Sequence, residues 1–240
     1  MKDIVKRILR SLTYRVGYQN LDPLSFLLYS RLHRVDTFHI VQIGANDGKT
    51  NDPLHAFMAR NHAKIRALLL EPLGDYYAEL AATYQQYPNV KVLKLAIHST
   101  ATSMVLHRVD RSRLSSLPAY ARGVASFDAR HHEKSNLPAD SMTEETVDCV
   151  TMEALIATHG LTRIDCLCID TEGYDAEILR APALDAVRPR IILFEHGLSQ
   201  RIMSDETFAE VVRMLIRRGY HLIVLGYDVA ACLHDELGIE

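Results

Sequence analysis

The chain has 240 residues, 48% hydrophobic and 24% charged, with a formal net charge of −3. That length buries a core without disulfides or metals and allows one large domain or two small ones. The charge excludes the strong basic field of a nucleic-acid binder, and no apolar run approaches the ~18 residues that a transmembrane helix needs.

In chain order, residues 2–18 (KDIVKRILRSLTYRVGY) set Lys2, Lys6, Arg7, Arg10 and Arg15 against a single acid, Asp3. Ile4, Val5, Ile8, Leu9 and Leu12 recur at helical spacing, so a short basic amphipathic helix is expected within a 1–36 extension. It reads as packed on the domain with a solvated basic face; the alternatives are peripheral membrane contact or a lid.

From residue 38 strands and helices alternate. Strands are expected at Phe38–Ile43, Ile65–Leu70 and Val90–Ile97, and helices at Asp52–Asn61 and Asp75–Tyr87. Asn51 or Asp52 caps the first helix, with Pro53 in its first turn. Residues 99–150 break the rhythm as a substrate-side insertion. Short strands are expected at Thr102–His107 and Thr146–Val150, around a polar 108–142 stretch of unclear period. The rhythm resumes with helix Met152–Thr158, strand Ile164–Ile169, helix Ala176–Arg180 and strand Arg190–Phe194. A helix follows, capped by Ser204 and stopped by Gly219. The last two strands, Tyr220–Leu225 and about Val229–Leu233, are close enough in sequence to pair antiparallel. This is an α/β chain: a Rossmann-like, doubly wound, mostly parallel seven-stranded sheet with an antiparallel carboxyl-end hairpin, over residues 37–240. Cys149, Cys166, Cys168 and Cys232 form no CxxC pair, and Cys166 and Cys168 share one strand face as buried thiols. Reduced thiols and the lack of a signal-like segment fit a cytoplasmic protein.

In such a sheet ligands bind at the carboxyl ends of the strands. The first strand ends in IGANDGKTNDP, residues 43–53. A dinucleotide fingerprint would need glycine at positions 46 and 49, which are Asn46 and Lys49, and a P-loop would need glycine at Ile43. What remains is Gly44-Ala45-Asn46-Asp47-Gly48 after one strand and Glu71-Pro72 after the next. A carboxylate at position 71 can accept both hydroxyls of a ribose, and Asp47 could receive an ammonium group. The loop, the acid and the strand order suit an S-adenosylmethionine-dependent methyltransferase. Gly44 is expected to admit the cofactor's tail, so that Gly44→Val abolishes binding without unfolding the sheet.

QIGANDGKTNDPL, LLLEPL followed by YYAELAATYQQYPNV, and IDTEGYDAEIL together resemble the FkbM family of methyltransferases over about residues 38–198. The resemblance implies a class I methyltransferase fold, S-adenosylmethionine as cofactor, with Ala96 and Ile97 added to the cofactor contacts, and O-methylation of a hydroxyl on a sugar, glycan or polyketide-like product. A nicotinamide-dependent oxidoreductase of similar topology and a non-catalytic domain retaining the fold are the alternatives.

CIDTEGYD places Asp170, Glu172 and Asp175 at the end of the fourth long strand, and Glu195-His196 end the next. One reading is a divalent metal site, Mg²⁺ or another cation, on Asp170, Glu195 and His196. The other is metal-free, with Asp170 or His196 as general base and Glu172 positioning the acceptor. Asp175 reads as a helix cap. The 108–142 arginines, Arg111 and Arg113 among them, raise the expectation of an anionic acceptor. His131-His132 reads as an unsuitable metal pair. Neither the acceptor nor an oligomeric state, a homo-oligomer included, follows from the sequence.

Overall fold

The computed structural model describes residues 22–236. The basic helix expected over 2–18 lies outside them. The first described helix, α1 (Pro23–Leu32), is capped by the Asp22 carboxylate, which accepts the N–H groups of Leu24 and Ser25. Leu24, Leu27, Leu28 and Leu32 are buried in the core of the sheet, so this part of the 1–36 stretch packs with the sheet.

The strands are β1 (Phe38–Ile43), β2 (Ile65–Leu70), β3 (Val90–Leu93), β4 (Ala96–Ile97), β5 (Ser103–Val109), β6 (Ala125–Ser126), β7 (Met142–Val150), β8 (Cys166–Ile169), β9 (Ile191–Glu195), β10 (Tyr220–Leu225) and β11 (Asp228–Leu233). The remaining helices are α2 (His55–Asn61), α3 (Gly74–Tyr84), α4 (His131–Lys134), α5 (Met152–Thr158), α6 (Asp175–Leu179), α7 (Ala183–Val187) and α8 (Asp205–Arg217). The main sheet runs β10-β11-β9-β8-β1-β2-β3. Strands β3, β2, β1, β8 and β9 are mutually parallel, and β11 is antiparallel to both β9 and β10. The expected hairpin is present, with β11 inserted between β9 and the edge strand β10. This is the strand order of the class I methyltransferase fold.

The period of two along each strand builds two cores. Val41 and Ile43, Leu167 and Ile169, and Ile192 and Phe194 face α5 to α8. Ile40, Cys166, Cys168, Leu193 and Cys232 face α1 to α3. Cys166 and Cys168 therefore do share a face, as fully buried thiols. Among the described residues no helix is long and apolar enough to cross a membrane.

Several boundaries differ from the sequence reading. The expected strand Val90–Ile97 is two strands: β3 pairs with β2, then Ala96 and Ile97 turn away to pair with Cys149 and Val150 of β7. Helix α3 stops at Tyr84, because Pro88 disfavours helical geometry at the residue before it. Residues 99–150 contain the two expected strands, lengthened to β5 and β7, and together with β4 they form a second, four-stranded sheet, β4-β7-β5-β6, joined by short helical turns. Arg108 staples this sheet to α3: its buried guanidinium reaches both oxygens of Asp75 at 2.7 Å and Glu145 at 3.0 Å. Arg108, Arg111 and Arg122 also sit over the Tyr76 ring, 4.9–5.2 Å from its centroid.

Candidate active site

At the end of β1 the N–H groups of Gly44 and Ala45 both donate to the Leu70 carbonyl, at 3.0 and 2.9 Å, which folds the loop against β2. Gly44 has φ +80°, and a Cβ there would lie 1.8 Å from the Asp170 carbonyl oxygen. The glycine thus lets the ends of β1 and β8 meet. That corrects the expectation that Gly44→Val leaves the sheet intact, because the clash is with backbone of the sheet itself. At Gly48 (φ +68°) a Cβ would meet Leu80 and Tyr84 at 2.4 and 2.6 Å.

Asn46, itself at φ +48°, donates its N–H to Glu71 Oε2 at 2.9 Å, and Leu73 donates to Glu71 Oε1 at 2.9 Å. Glu71 is 5% exposed. Burial pushes its carboxyl up to about 7 from 4.5, with the two N–H bonds opposing. A folded-state pKa above the unfolded value means stability that is present below pH 4.5 and lost as pH rises through about 7, on the order of 3 kcal/mol. Urea unfolding across that window should show this slope in the ligand-free protein, and Glu71→Gln should flatten it. An unchanged slope in the variant would place the titration elsewhere.

Asp47 accepts the N–H groups of Lys49 and Thr50 at 2.9 and 2.7 Å and the Thr50 hydroxyl at 2.6 Å, and it pairs with Arg122 at 3.2 Å. Burial opposes its ionisation, but the Thr50 and Lys49 bonds outweigh it and hold the carboxyl below the usual range. Asp47 is thus a structural acid of the turn, tied to the insertion through Arg122. Pro72 is half-buried beside Glu71, and Ala96 and Ile97 are buried where β4 meets β7. Asp52 accepts the N–H groups of Leu54 and His55 at 2.7 and 2.9 Å, a turn ahead of α2, which starts at His55 with Leu54 in the cap position rather than at Asp52 with Asn51 or Asp52 as the cap.

Across the cleft, one carboxylate oxygen each from Asp170, Glu172 and Glu195 lies within 4.8 Å of the others. Asp170 ends β8 and its side chain is open to the cleft. Glu195 ends β9, and its Oε2 is buried without a hydrogen-bond partner. Glu172 is held at φ +52°, a left-handed conformation unusual for a residue with a Cβ, followed by Gly173 at +110°. Desolvation by the surrounding protein, then the charges of Glu172, Asp175 and Asp228, push the Asp170 carboxyl well up. Burial and Asp170 do the same to Glu195.

Asp175, fully buried, does not cap its helix as expected. It accepts the Thr171 N–H and hydroxyl at 3.1 and 2.5 Å and the Glu195 N–H at 3.1 Å, bridging the ends of β8 and β9.

The structure changes the expected ligand set. His196 does not join Asp170 and Glu195. Successive strand residues point to opposite faces, so the His196 ring packs on Phe208 with centroids 5.2 Å apart, and its Nδ1 accepts the Leu198 N–H at 3.1 Å. Glu172 takes the third place. Two residues at this end were missed from sequence. His131 of α4, 1% exposed, reaches Glu172 Oε2 through Nε2 at 2.8 Å, and Ser126 donates its hydroxyl to the Glu172 carbonyl at 2.7 Å. Asp228 of β11 stands opposite Glu195 in the register. Only the fold brings these together, since His131 lies 41 residues before Glu172. His98, Phe127 and Tyr174 add an aromatic cluster, with His98 stacked on Tyr174 at 5.2 Å.

With a turn of left-handed glycines after β1, an acid after β2 and acids after β8 and β9, the chain can be compared with known proteins. The model of the Methyltransferase FkbM domain matches residues 42–222. The chain belongs to that family. Membership of a methyltransferase family sets aside the nicotinamide-dependent alternative. No curated protein sequence matches. Among solved structures, a Methanococcus jannaschii fibrillarin pre-rRNA processing protein is 16% identical, with a TM-score of 0.41, over 82% of this chain and 65% of that one, under two thirds of its length. A precorrin-6Y C5,15-methyltransferase from Geobacter metallireducens is 14% identical over 85% of this chain and 83% of that one, TM-score 0.40. The Podospora anserina methyltransferase PaMTH1, solved with S-adenosylhomocysteine, is 13% identical over 87% of this chain and 76% of that one, TM-score 0.43.

The residues fit the cofactor. The two Glu71 oxygens each accept one backbone N–H, and a carboxylate has about four acceptor positions, which leaves capacity for the ribose hydroxyls. A cation also fits the acid trio. Glu195 Oε2 is an orphaned buried oxygen, and the salt-bridge partner that the trio has among the described residues is His131.

Proposed function

We propose that the protein transfers the methyl group of S-adenosylmethionine to a hydroxyl oxygen of a sugar, glycan or polyketide-like acceptor held at the acid trio. The observation that carries this reading is the convergence of Asp170, Glu172 and Glu195 at the strand edge that bears the Gly44–Gly48 loop. The methyl donor is already activated, so the protein's task is alignment and removal of one proton. As the sulfonium methyl moves to the acceptor oxygen in line, the sulfur keeps the bonding pair and the hydroxyl proton passes to a carboxylate. Asp170, exposed at this edge of the sheet, is placed to take it in its ionised form. Glu172, fixed by His131 and Ser126, orients the acceptor. Mg²⁺ or another divalent cation on Asp170, Glu172 and Glu195 would lower the hydroxyl's pKa and hold a diol.

Arg111 pairs with Asp75 and Glu79, and Arg113 with Asp140. The charge expected to attract an anionic acceptor is therefore already neutralised within the chain, and an acceptor with neutral hydroxyls suits the site better.

The test is S-adenosylhomocysteine formation with a panel of sugar, glycan and polyketide alcohols, with Mg²⁺ and with EDTA. We expect turnover on a neutral hydroxyl and a fall of at least about 100-fold in Asp170→Asn, a typical effect of losing a general base, with S-adenosylhomocysteine affinity retained. Turnover confined to amines, or undiminished in Asp170→Asn, would sink the reading. Cofactor binding with no turnover on any acceptor would favour the non-catalytic alternative.

A further inference from the structure

Parallel sheets are normally buried on both faces. Over the amino-terminal halves of β1, β2 and β3 none of the described residues covers one face, and Arg66 and Lys91 are exposed there. His39 stands beside Arg66 in the register, and Val41, Leu68 and Lys91 follow in the next row. Alternate residues share a face, so both rows look the same way. The turn from His159 to Arg163, leading into β8, walls the other side and leaves a groove of about 390 Å³.

Among the described residues the groove's lining contains Arg66, Lys91, Arg163, His39 and His159 and no Asp or Glu. Arg163 is pre-oriented: its Nε is held by Asp165 at 3.1 Å, and its terminal nitrogen meets the Thr37 carbonyl and His39 Nδ1. Asp165 lies beneath with no exposed surface. Arg66 and Lys91 have no carboxylate partner among the described residues. Burial and then Arg163 lower the pKa of His39, and burial and then Lys91 lower that of His159. The apolar floor is Val41, Leu68 and Leu161.

We propose that this groove binds a nucleotide-sized phosphorylated ligand, with Arg66, Lys91 and Arg163 on the phosphates and the apolar floor under its organic part. The volume lies in the range of small-molecule sites, about 300–1,000 Å³. The absence of any lining acid selects an anion, and the pairing of cations with an apolar floor selects one that carries an organic body. The chain's own amino-terminal segment is an unsuitable occupant, since residues 2–18 carry five cations against Asp3. The groove lies at the amino ends of strands whose carboxyl ends hold the methyl-transfer site. For a six-residue strand that is roughly 20 Å away, so the groove does not depend on the function proposed above.

The experiment is calorimetric titration of ADP into the full chain saturated with S-adenosylhomocysteine, which keeps the adenosine of ADP out of the cofactor site. Saturable binding is expected, with inorganic pyrophosphate competing and adenosine not binding. Arg66→Ser with Lys91→Ser should weaken ADP at least about tenfold while leaving S-adenosylhomocysteine affinity and the melting temperature unchanged. Both side chains are exposed, so the variant folds. Non-saturable ADP binding, ADP displaced by S-adenosylhomocysteine, or full affinity in the double variant would each overturn the proposal.

Discussion

Gly44→Ala is expected to lower the melting temperature by about 5–15 °C and to abolish S-adenosylhomocysteine binding. Two physical terms add. A side chain in the left-handed region costs about 1–2 kcal/mol. The new Cβ would sit 1.8 Å from the Asp170 carbonyl oxygen, and relieving such overpacking costs about 1–3 kcal/mol. For a chain of this length each kcal/mol is about 2–4 °C. The displaced atom belongs to Asp170, so the same shift that destabilises the sheet moves the loop from the acids. Gly160→Ala is the control. It too has positive φ, +57°, but nothing lies within 4 Å of its Cβ, so it should show the backbone cost alone. Scanning calorimetry of both variants with S-adenosylhomocysteine titration reads the two effects. A Gly44→Ala protein that melts like the parent yet fails to bind would return the glycine to a purely cofactor-contacting role.

The sheet was legible in the sequence because its signals are local and periodic. Apolar strands such as Ile65–Leu70 alternate with helices of clear stripe, and Ser204 caps α8 as its spacing predicts. The acids at the ends of β8 and β9 were legible for the same reason, since a carboxylate closing a buried strand is conspicuous. The second sheet was legible only in part. Strands were expected near β5 and at the end of β7, but β7 starts at Met142 rather than Thr146, and its first half, MTEE, is polar and half-exposed with weak alternation. Its partner assignments also depend on contacts between distant segments. The pairing of His131 with Glu172, and of Arg122 with Asp47, is of this kind: neither residue has a local signal, and only the fold of residues 99–150 sets them beside the loop and the acids. His196 failed for a simpler reason. It is adjacent to Glu195 in sequence, and adjacency on a strand means opposite faces.

The Glu195 carboxyl carries the second large effect. Glu195→Gln should make the ligand-free protein more stable while reducing methyl transfer at least about tenfold, because the variant loses one of the three oxygens that would hold the cation. Burial and then the Asp170 and Glu172 charges push the Glu195 carboxyl up from 4.5, so near pH 7 the folded state must take up a proton that the unfolded state does not bind. Each pKa unit of that uptake costs about 1.4 kcal/mol. The amide keeps the shape and removes the cost. The sign follows: below pH 4.5 both states are protonated and the variant gains nothing, whereas above it the gain grows with pH. At pH 7 a gain of about 3 kcal/mol, or roughly 6–12 °C, is expected. Mg²⁺ or Mn²⁺ should reverse the order, because a cation bound by the folded parent stabilises it by mass action and the variant has lost one of three ligand oxygens. A variant melting at or below the parent at every pH would mean that the acids do not repel in the folded chain. A parent whose melting temperature ignores both metals, with the variant still more stable, would remove the cation from the mechanism and leave proton removal to the carboxylates alone.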